Sequence, residues 1–265
     1  MVPVGSTVTW TVTSGEAHTV TFPPQKVAPP DGPPPSWPVM VQAGGAAQFD
    51  GGALVNSGII FRDAQVNVTF TEAGTFSYIC ALHPGIQGVV KVVGPGEAYT
   101  AAAEAAATAQ QESEAVLAPV EGLRQERNAD FVQTQQADGA TLWNVPVGAL
   151  TNTSVGPLEI LEYFPSELRI KAGDTVRWTA NAPHTVTFLS GQELPIPPSG
   201  DPVEIPAAKP SDSYTGQGFY HSGSFALGPG APTEFQLTFP QPGVFPYTCA
   251  LHGRIGHNGV VIVEP

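Results

Sequence analysis

The chain has 265 residues, of which 42% are hydrophobic and 12% charged, and its formal net charge at pH 7 is −13. This length allows two packed domains, and the acidic excess argues against nucleic acid or an anionic membrane surface as a partner. The 28 Pro and 29 Gly residues follow no collagen-like period, which favours an all-β fold with many turns. No apolar run approaches a transmembrane length.

The first part of the chain reads as short strands. Residues 5–10 alternate β-branched and polar side chains, as a half-buried strand does, and His18 follows within Ala-His-Thr-Val-Thr-Phe. A Pro-rich stretch at residues 22–38 predicts a surface loop, which either covers a sheet end or shapes a docking surface near the metal. An aromatic strand pattern then leads into Cys-Ala-Leu-His at residues 80–83 and a run of valines.

An acidic, Ala-rich segment follows at residues 95–140. Residues 97–111 have high helix propensity, and we expect Pro119 and Gly122 to interrupt the helix. A segment of this composition is typical of a spacer or of a helix that lies on a domain, so we assign it no binding role.

The last part of the chain repeats the first. Residues 173–178 match 5–10, His184 matches His18, and Cys-Ala-Leu-His returns at residues 249–252. A second Pro-rich loop spans residues 189–210. The sequence therefore predicts domains at residues 1–94 and 141–265, with residues 95–140 between them.

The repeat is unequal at its start. Residues 141–171 precede the repeated block of the second domain and contain two strand-like segments, but the first domain has almost nothing in that place. We expect the first domain to lack an opening strand and to expose a sheet edge. Either the chain is a trimmed form, or another segment covers this edge.

The two cysteines of the chain, Cys80 and Cys249, occupy equivalent places in the repeat. A disulfide between them is arithmetically allowed, but their equivalence favours two metal sites. Each has a histidine three residues later and another far upstream. Two imidazoles and one thiolate form a soft trigonal donor set that suits copper.

The motifs Gly-Asp-Thr-Val-x-Trp, His-Thr-Val and Gly-x-Phe-x-Tyr-x-Cys-x-x-His resemble those of the cupredoxins, the blue copper proteins of plastocyanin and amicyanin type. The resemblance covers both repeats and implies two tandem Greek-key β-sandwiches with an Ala-rich helical linker. It also implies one type 1 copper in each sandwich, up to two per chain. The ligands implied are His18, Cys80 and His83 for the first copper, and His184, Cys249 and His252 for the second.

The axial ligand of the family is normally Met, and this chain departs from that pattern. Its two methionines, Met1 and Met40, lie elsewhere. Counting back from the following glycine puts Ile86, which cannot ligate, in the first axial place and His257 in the second. The first site would then favour Cu(I) and the second Cu(II). Two alternatives stay open, a solvent-facing His257 and an amide oxygen from Gln87 in the first site.

His221 stands where the first repeat has Asn56. It could be a residue that supports the ligands, a ligand to an extra metal or an entry point for electrons. An exposed His without a role is the alternative.

The sequence favours an electron carrier over an enzyme. Copper nitrite reductases and laccases place a His directly before the type 1 Cys, whereas Ile79 and Thr248 stand there, and no His-x-His pair occurs. The alternatives are a copper delivery or storage protein, and an oxidoreductase that uses the His257-containing site. We expect a periplasmic or extracellular protein, exported by a signal outside this sequence, with cationic redox proteins as partners.

Overall fold

The structure is a computed structural model that describes most of the chain. Met40 and parts of the two Pro-rich loops, residues 27–37 of 22–38 and residues 196–203 of 189–210, lie outside the described residues, so the docking role considered for these loops stays a prediction. The described residues are 1–26, 38–39, 41–83, 85–154, 156–195, 204–226 and 230–265.

The described chain divides into two compact units. The first is Met1–Val116 with Thr153–Pro157, and the second is Leu117–Asn152 with Leu158–Pro265. The domain boundaries expected from the sequence stay predictions. The elements are β1 (Val2–Pro3), β2 (Thr7–Thr11), β3 (Thr21–Phe22), β4 (Ala46–Phe49), β5 (Val55–Asn56), β6 (Gln65–Phe70), β7 (Gly74–Ile79), β8 (Gln87–Val93), α1 (Ala102–Leu117), α2 (Val120–Ala129), β9 (Val132–Gln135), β10 (Thr141–Asn152), β11 (Pro157–Tyr163), β12 (Glu167–Lys171), β13 (Thr175–Ala180), β14 (Thr187–Phe188), β15 (Tyr220–His221), β16 (Glu234–Thr238), β17 (Gly243–Thr248) and β18 (Asn258–Glu264).

Alternating side chains explain why these segments form strands with one buried face. In β6, Val66, Val68 and Phe70 are fully buried while the residues between them are less so. In β13, Val176 and Trp178 are buried in the same way. Each unit therefore packs its own apolar core between two sheets.

The strand order is that of two Greek-key sandwiches. In the first unit the sheets run β1-β8-β7-β3-β5 and β2-β6-β4. In the second they run β12-β18-β17-β14-β15 and β11-β10-β13-β16, with β9 also paired to β10. Strands adjacent in space are often distant in sequence, so the chain crosses between sheets. The predicted fold class, two all-β sandwiches with a helical linker, is confirmed.

The two units differ at one sheet edge. In the second unit, β13 pairs with β10 on one side and with β16 on the other. Its counterpart β2 pairs with β6 and is the end strand of its sheet among the described residues. The first unit also has only the two-residue β1 where the second has the five-residue β12.

The linker is helical, but its interruption differs from the prediction. Pro119 separates α1 from α2, whereas Gly122 lies inside α2 and does not end it. Helix α2 packs Val120 and Leu123 on a small apolar cluster of β10 and β11. In the described part of the chain, no helix is both long and apolar enough to cross a membrane.

Candidate metal centres

The structure gathers the sequence-predicted ligands into two groups. His18, Cys80 and His83 form one group, and the potential ligand atoms of its members lie within 4.8 Å of one another. The other group meets the same limit and has four members: His184, Cys249, His252 and His257. Both cysteines are free thiols and both are buried, which excludes the disulfide alternative.

In the first centre, two strand ends bring a distant residue to a local pair. His18 precedes β3 and is fixed by reciprocal backbone hydrogen bonds with Ile60. Cys80 follows β7, and its Sγ lies 3.7 Å from His18 Nδ1 and 3.3 Å from His83 Nδ1. Thr19 donates its backbone N–H to the same sulfur at 3.4 Å.

In the second centre the same construction gains a third imidazole. Cys249 Sγ lies 3.6 Å from His252 Nδ1, and His184 Nδ1 lies 3.3 Å from that nitrogen. The His257 ring is centred 4.9 Å from the His184 ring. Both nitrogens of His257 are buried without a hydrogen-bond partner. Because His257 is fully buried, the solvent-facing alternative is wrong.

Backbone hydrogen bonds place Ile86 and His257 at equivalent points of their loops. Cys80 donates its N–H to the Ile86 carbonyl at 2.9 Å, and Cys249 donates to the His257 carbonyl at 3.0 Å. The second loop accommodates its extra residues with a 3-10 turn at Gly253–Ile255. Ile86 is 39% exposed and borders its centre without a donor atom in the side chain.

Spacing and chemistry fit a copper ion in both groups. Ligand bonds of about 2.0–2.3 Å put the ligand atoms around a metal roughly 3.3–3.8 Å apart. The distances from sulfur to nitrogen, 3.3–3.7 Å, fall in this range. Thiolate with imidazole is a donor set that copper accepts, and the first unit supplies three donors where the second supplies four.

The surroundings of each sulfur favour the thiolate that a metal requires. Burial acts to raise the pKa of Cys80, but His18 and His83 outweigh it and lower the pKa to about 5. Burial opposes the charge of Cys249 in the same way, and the three imidazoles beside it hold its pKa well below the ordinary value. Both sulfurs are thus prepared to ligate at neutral pH.

Paired threonines, which are not themselves ligands, tie each cysteine loop to the segment that carries the upstream histidine. Thr19 Oγ1 accepts the N–H of Ala81 at 2.7 Å, and Thr185 Oγ1 accepts that of Ala250 at 2.7 Å. Each hydroxyl also contacts the hydroxyl of the threonine two residues later, Thr21 or Thr187, at 3.0 Å. The repeated motif His-Thr-Val-Thr is the sequence signal for this network.

His221 extends that network and is absent from the ligand group. Its Nδ1 lies 2.9 Å from Thr187 Oγ1, whereas in the first unit Asn56 accepts from Thr21. His221 is fully buried, so the exposed alternative is wrong. Burial is the main cause that lowers its pKa, and a neutral imidazole fits a buried hydrogen-bonding role.

The two centres differ in exposure. His18 and His83 are partly exposed, and a cavity of about 220 Å³ borders Cys80, His83 and Ile86. In the second centre His184 is fully buried. There β10 crosses the histidine at Gly148 (φ +66°), where an added Cβ would lie 2.0 Å from His184 Nε2.

The outer nitrogens of the upstream histidines also meet different groups. His18 Nε2 lies 2.7 Å from the Ser14 hydroxyl. His184 Nε2 lies 3.0 Å from Glu159 Oε1, a charge contact whose geometry falls short of an aligned hydrogen bond. Burial lowers the pKa of His184, but Cys249 and Glu159 outweigh it and raise the pKa to about 9. Glu159 lies on β11, outside the repeat, and no sequence motif pointed to it.

Residues 151–264 match the sequence profile of copper binding proteins of the plastocyanin/azurin family, which is less than half of the chain. A plastocyanin of Scenedesmus fuscus is 27% identical over 107 residues, 39% of this chain and 88% of that protein. A Cu(I) amicyanin with glutamine in place of one methionine is 23% identical over 48% of this chain and 85% of its own, with a TM-score of 0.29. A mutant plastocyanin of fern is 20% identical over 46% and 99%, with a TM-score of 0.28.

The profile match confirms the family resemblance for the second repeat. For the first repeat the resemblance stays a prediction, because the match begins at residue 151. The sandwich fold of the first unit is established by its own strand order and register.

Proposed function

We propose that this protein is a copper-binding electron carrier with one type 1-like centre in each unit. Copper bound there supplies a reversible one-electron change. The chain's part is to hold the donor atoms on strand ends so that they move little between the two redox states. The proposed ligands are His18, Cys80 and His83 in the first centre, and His184, Cys249, His252 and the axial His257 in the second.

One observation carries this proposal: each buried thiolate has imidazole nitrogens at ligand spacing. The copper-binding profile over residues 151–264 supports the same conclusion for the second centre. For the first centre, the proposal is supported by the distances from Cys80 Sγ to His18 and His83, which resemble those in the second centre.

The two centres are proposed to be unequal. In the first, Ile86 stands in the axial position and offers no donor, which favours Cu(I). In the second, the unpartnered nitrogens of buried His257 are available as a strong axial donor, which favours Cu(II). We therefore assign the higher reduction potential to the first centre.

Metal analysis joined to visible spectroscopy tests the function. We expect two coppers per chain and strong thiolate-to-copper absorption, of which Cys80→Ser removes one contribution and Cys249→Ser the other. A chain that binds no copper would overturn the proposal, and so would absorption that neither substitution changes.

Copper delivery is the second candidate, favoured by the cavity beside Cys80 and the partly exposed His83. Rapid transfer of copper to an apo-acceptor would support delivery, whereas slow loss with a reversible potential supports the electron carrier. Turnover with nitrite, oxygen or a phenol would instead indicate an oxidoreductase.

We further propose an exported protein, periplasmic or extracellular, whose redox partner is cationic. The net charge of −13 supports such a partner, since opposite charge speeds encounter. The rate of electron exchange with a cationic protein should then fall as salt is added. A rate that is independent of salt would contradict this partner class.

A further inference from the structure

Glu159 is an acidic side chain that points at the second centre from outside its ligand set. Its Oε1 lies 3.0 Å from Nε2 of His184, on the side of the ring opposite the nitrogen that faces the other ligands. Glu159 is 27% exposed at its side chain and His184 is not exposed at all. Most of this contact is therefore removed from water, where a charge acts more strongly.

The other carboxylate on the same strand has a different partner. Glu162 pairs with Arg124 of helix α2 at the surface, with both side chains 41% exposed. Among the described residues, the ion pair of Glu159 is with His184. Glu159 thus contributes its charge to the histidine and not to the docking of the helix.

The backbone holds the histidine in place against this carboxylate. Gly148 of β10 lies so close that a Cβ would lie 2.0 Å from His184 Nε2. Arg127 of α2 donates its Nε–H to the Gly148 carbonyl at 2.9 Å. The ring therefore has little room to turn away from Glu159.

In the first unit, the carboxylate near the ligands lies behind a different histidine: Glu16 Oε2 is 3.9 Å from Nε2 of His83, farther than Glu159 is from His184. There the outer nitrogen of His18 meets the neutral Ser14 hydroxyl at 2.7 Å. The two upstream histidines are thus equivalent in position and unequal in the group behind them.

We propose that Glu159 is a positioning residue of the second centre, which orients His184 and lowers the reduction potential of the metal it holds. A carboxylate behind a ligating imidazole fixes its tautomer and makes it a stronger donor. Its negative charge also stabilises Cu(II) more than Cu(I). This inference rests on the proposed copper function and adds a second cause, besides His257, for unequal centres.

The test compares Glu159→Gln with Glu162→Gln, a matched control that removes the same charge from the same strand. Both are made in a Cys80→Ser background, so that copper occupies the second centre alone. We expect Glu159→Gln to lower the ratio of Cu(II) affinity to Cu(I) affinity by up to tenfold, which raises the reduction potential by up to about 59 mV for one electron. The control should leave it unchanged.

A second readout is independent of the potential. In the diamagnetic Cu(I) form, we expect the proton on His184 Nε2 to give a downfield NMR signal that Glu159→Gln moves upfield. Glu159→Asp keeps the charge, so its potential should stay nearer to that of the parent than the potential of Glu159→Gln does. If the glutamine variant fails to fold, Glu159→Ala in the same background tests the same point, because it also removes the charge and should raise the potential relative to Glu159→Asp.

Two failures can be told apart. If copper binds and Glu159→Gln has the same potential and proton signal as the control, this inference is overturned while the copper function stands. If the unaltered chain takes up no copper, the proposed function itself is overturned.

Discussion

The chemistry of both centres depends on which ring atom each histidine turns toward the sulfur. His18 and His83 present Nδ1 to Cys80, and His252 presents Nδ1 to Cys249. The outer nitrogen is then left to a supporting group, which sets the tautomer. Residue types in a motif therefore define the donors, and the neighbours of the ring define their strength.

At the residue scale, the axial proposal predicts the effect of His257→Met in the Cys80→Ser background. Replacing a strong imidazole donor with a weak thioether should raise the reduction potential of the second centre and change its visible spectrum. Spectroelectrochemical titration measures both.

The matched control for this prediction is His221→Asn. It removes a second buried imidazole from the same unit but restores the residue that the first unit carries at Asn56. We expect neither potential nor spectrum to change with it. If His257→Met behaved like this control, His257 would not be a ligand.

At the element scale, strands β10 and β11 distinguish the second centre from the first. They bring Gly148 and Glu159 to the outer side of His184. Helix α2 packs against the same pair of strands. The first unit has no such strand pair in its described residues. One insertion ahead of the repeated block thus explains both the burial of the second centre and its carboxylate.

Gly148→Ala should disrupt this closure. A left-handed φ of +66° costs alanine about 1–2 kcal/mol, and the new methyl group must displace His184. We expect the copper content of the second centre to fall and the urea midpoint to drop, measured by metal analysis and chemical unfolding.

Gly139→Ala is the matched control, because Gly139 has a φ of +90° in the turn before β10 but nothing within 4 Å of its Cβ position. This variant should lose a similar amount of stability through backbone strain, but its copper content should be unchanged. Equal copper loss in both variants would contradict the role given to Gly148.

The sequence predicted the two sandwiches, the linker helix and the ligand groups because these depend on local, repeated patterns. The alternation in β6 and the Cys-Ala-Leu-His motif are both readable over a few residues. Glu159 could not be predicted, since its contact with His184 is made by sheet pairing across a non-repeated segment. The predicted break at Gly122 is wrong because the packing of Leu123 outweighs the weak helix propensity of one glycine.

At the scale of the whole molecule, the same sandwich architecture occurs in both units, but the candidate metal ligands differ in exposure. Both units place a cysteine at the end of the third strand of a five-stranded sheet and fix it with the same threonine hydrogen bonds. The first unit leaves both histidines partly exposed beside a cavity, whereas the second buries His184 and His257 and leaves only His252 partly exposed. The rate of metal exchange should therefore differ between the units, although their folds are alike.

Removal of Cu(I) by a soluble chelator tests that difference. In Cys249→Ser protein, where only the first centre is intact, we expect loss at least about tenfold faster than in Cys80→Ser protein, since a barrier difference of about 1.4 kcal/mol suffices for that ratio. Gly148→Ala, by opening the second centre, should bring its rate toward that of the first. Equal rates in the two single-centre proteins would mean that access through the cavity beside Cys80 does not govern exchange. Faster loss from the second centre than from the first would mean that the second centre is the more open one.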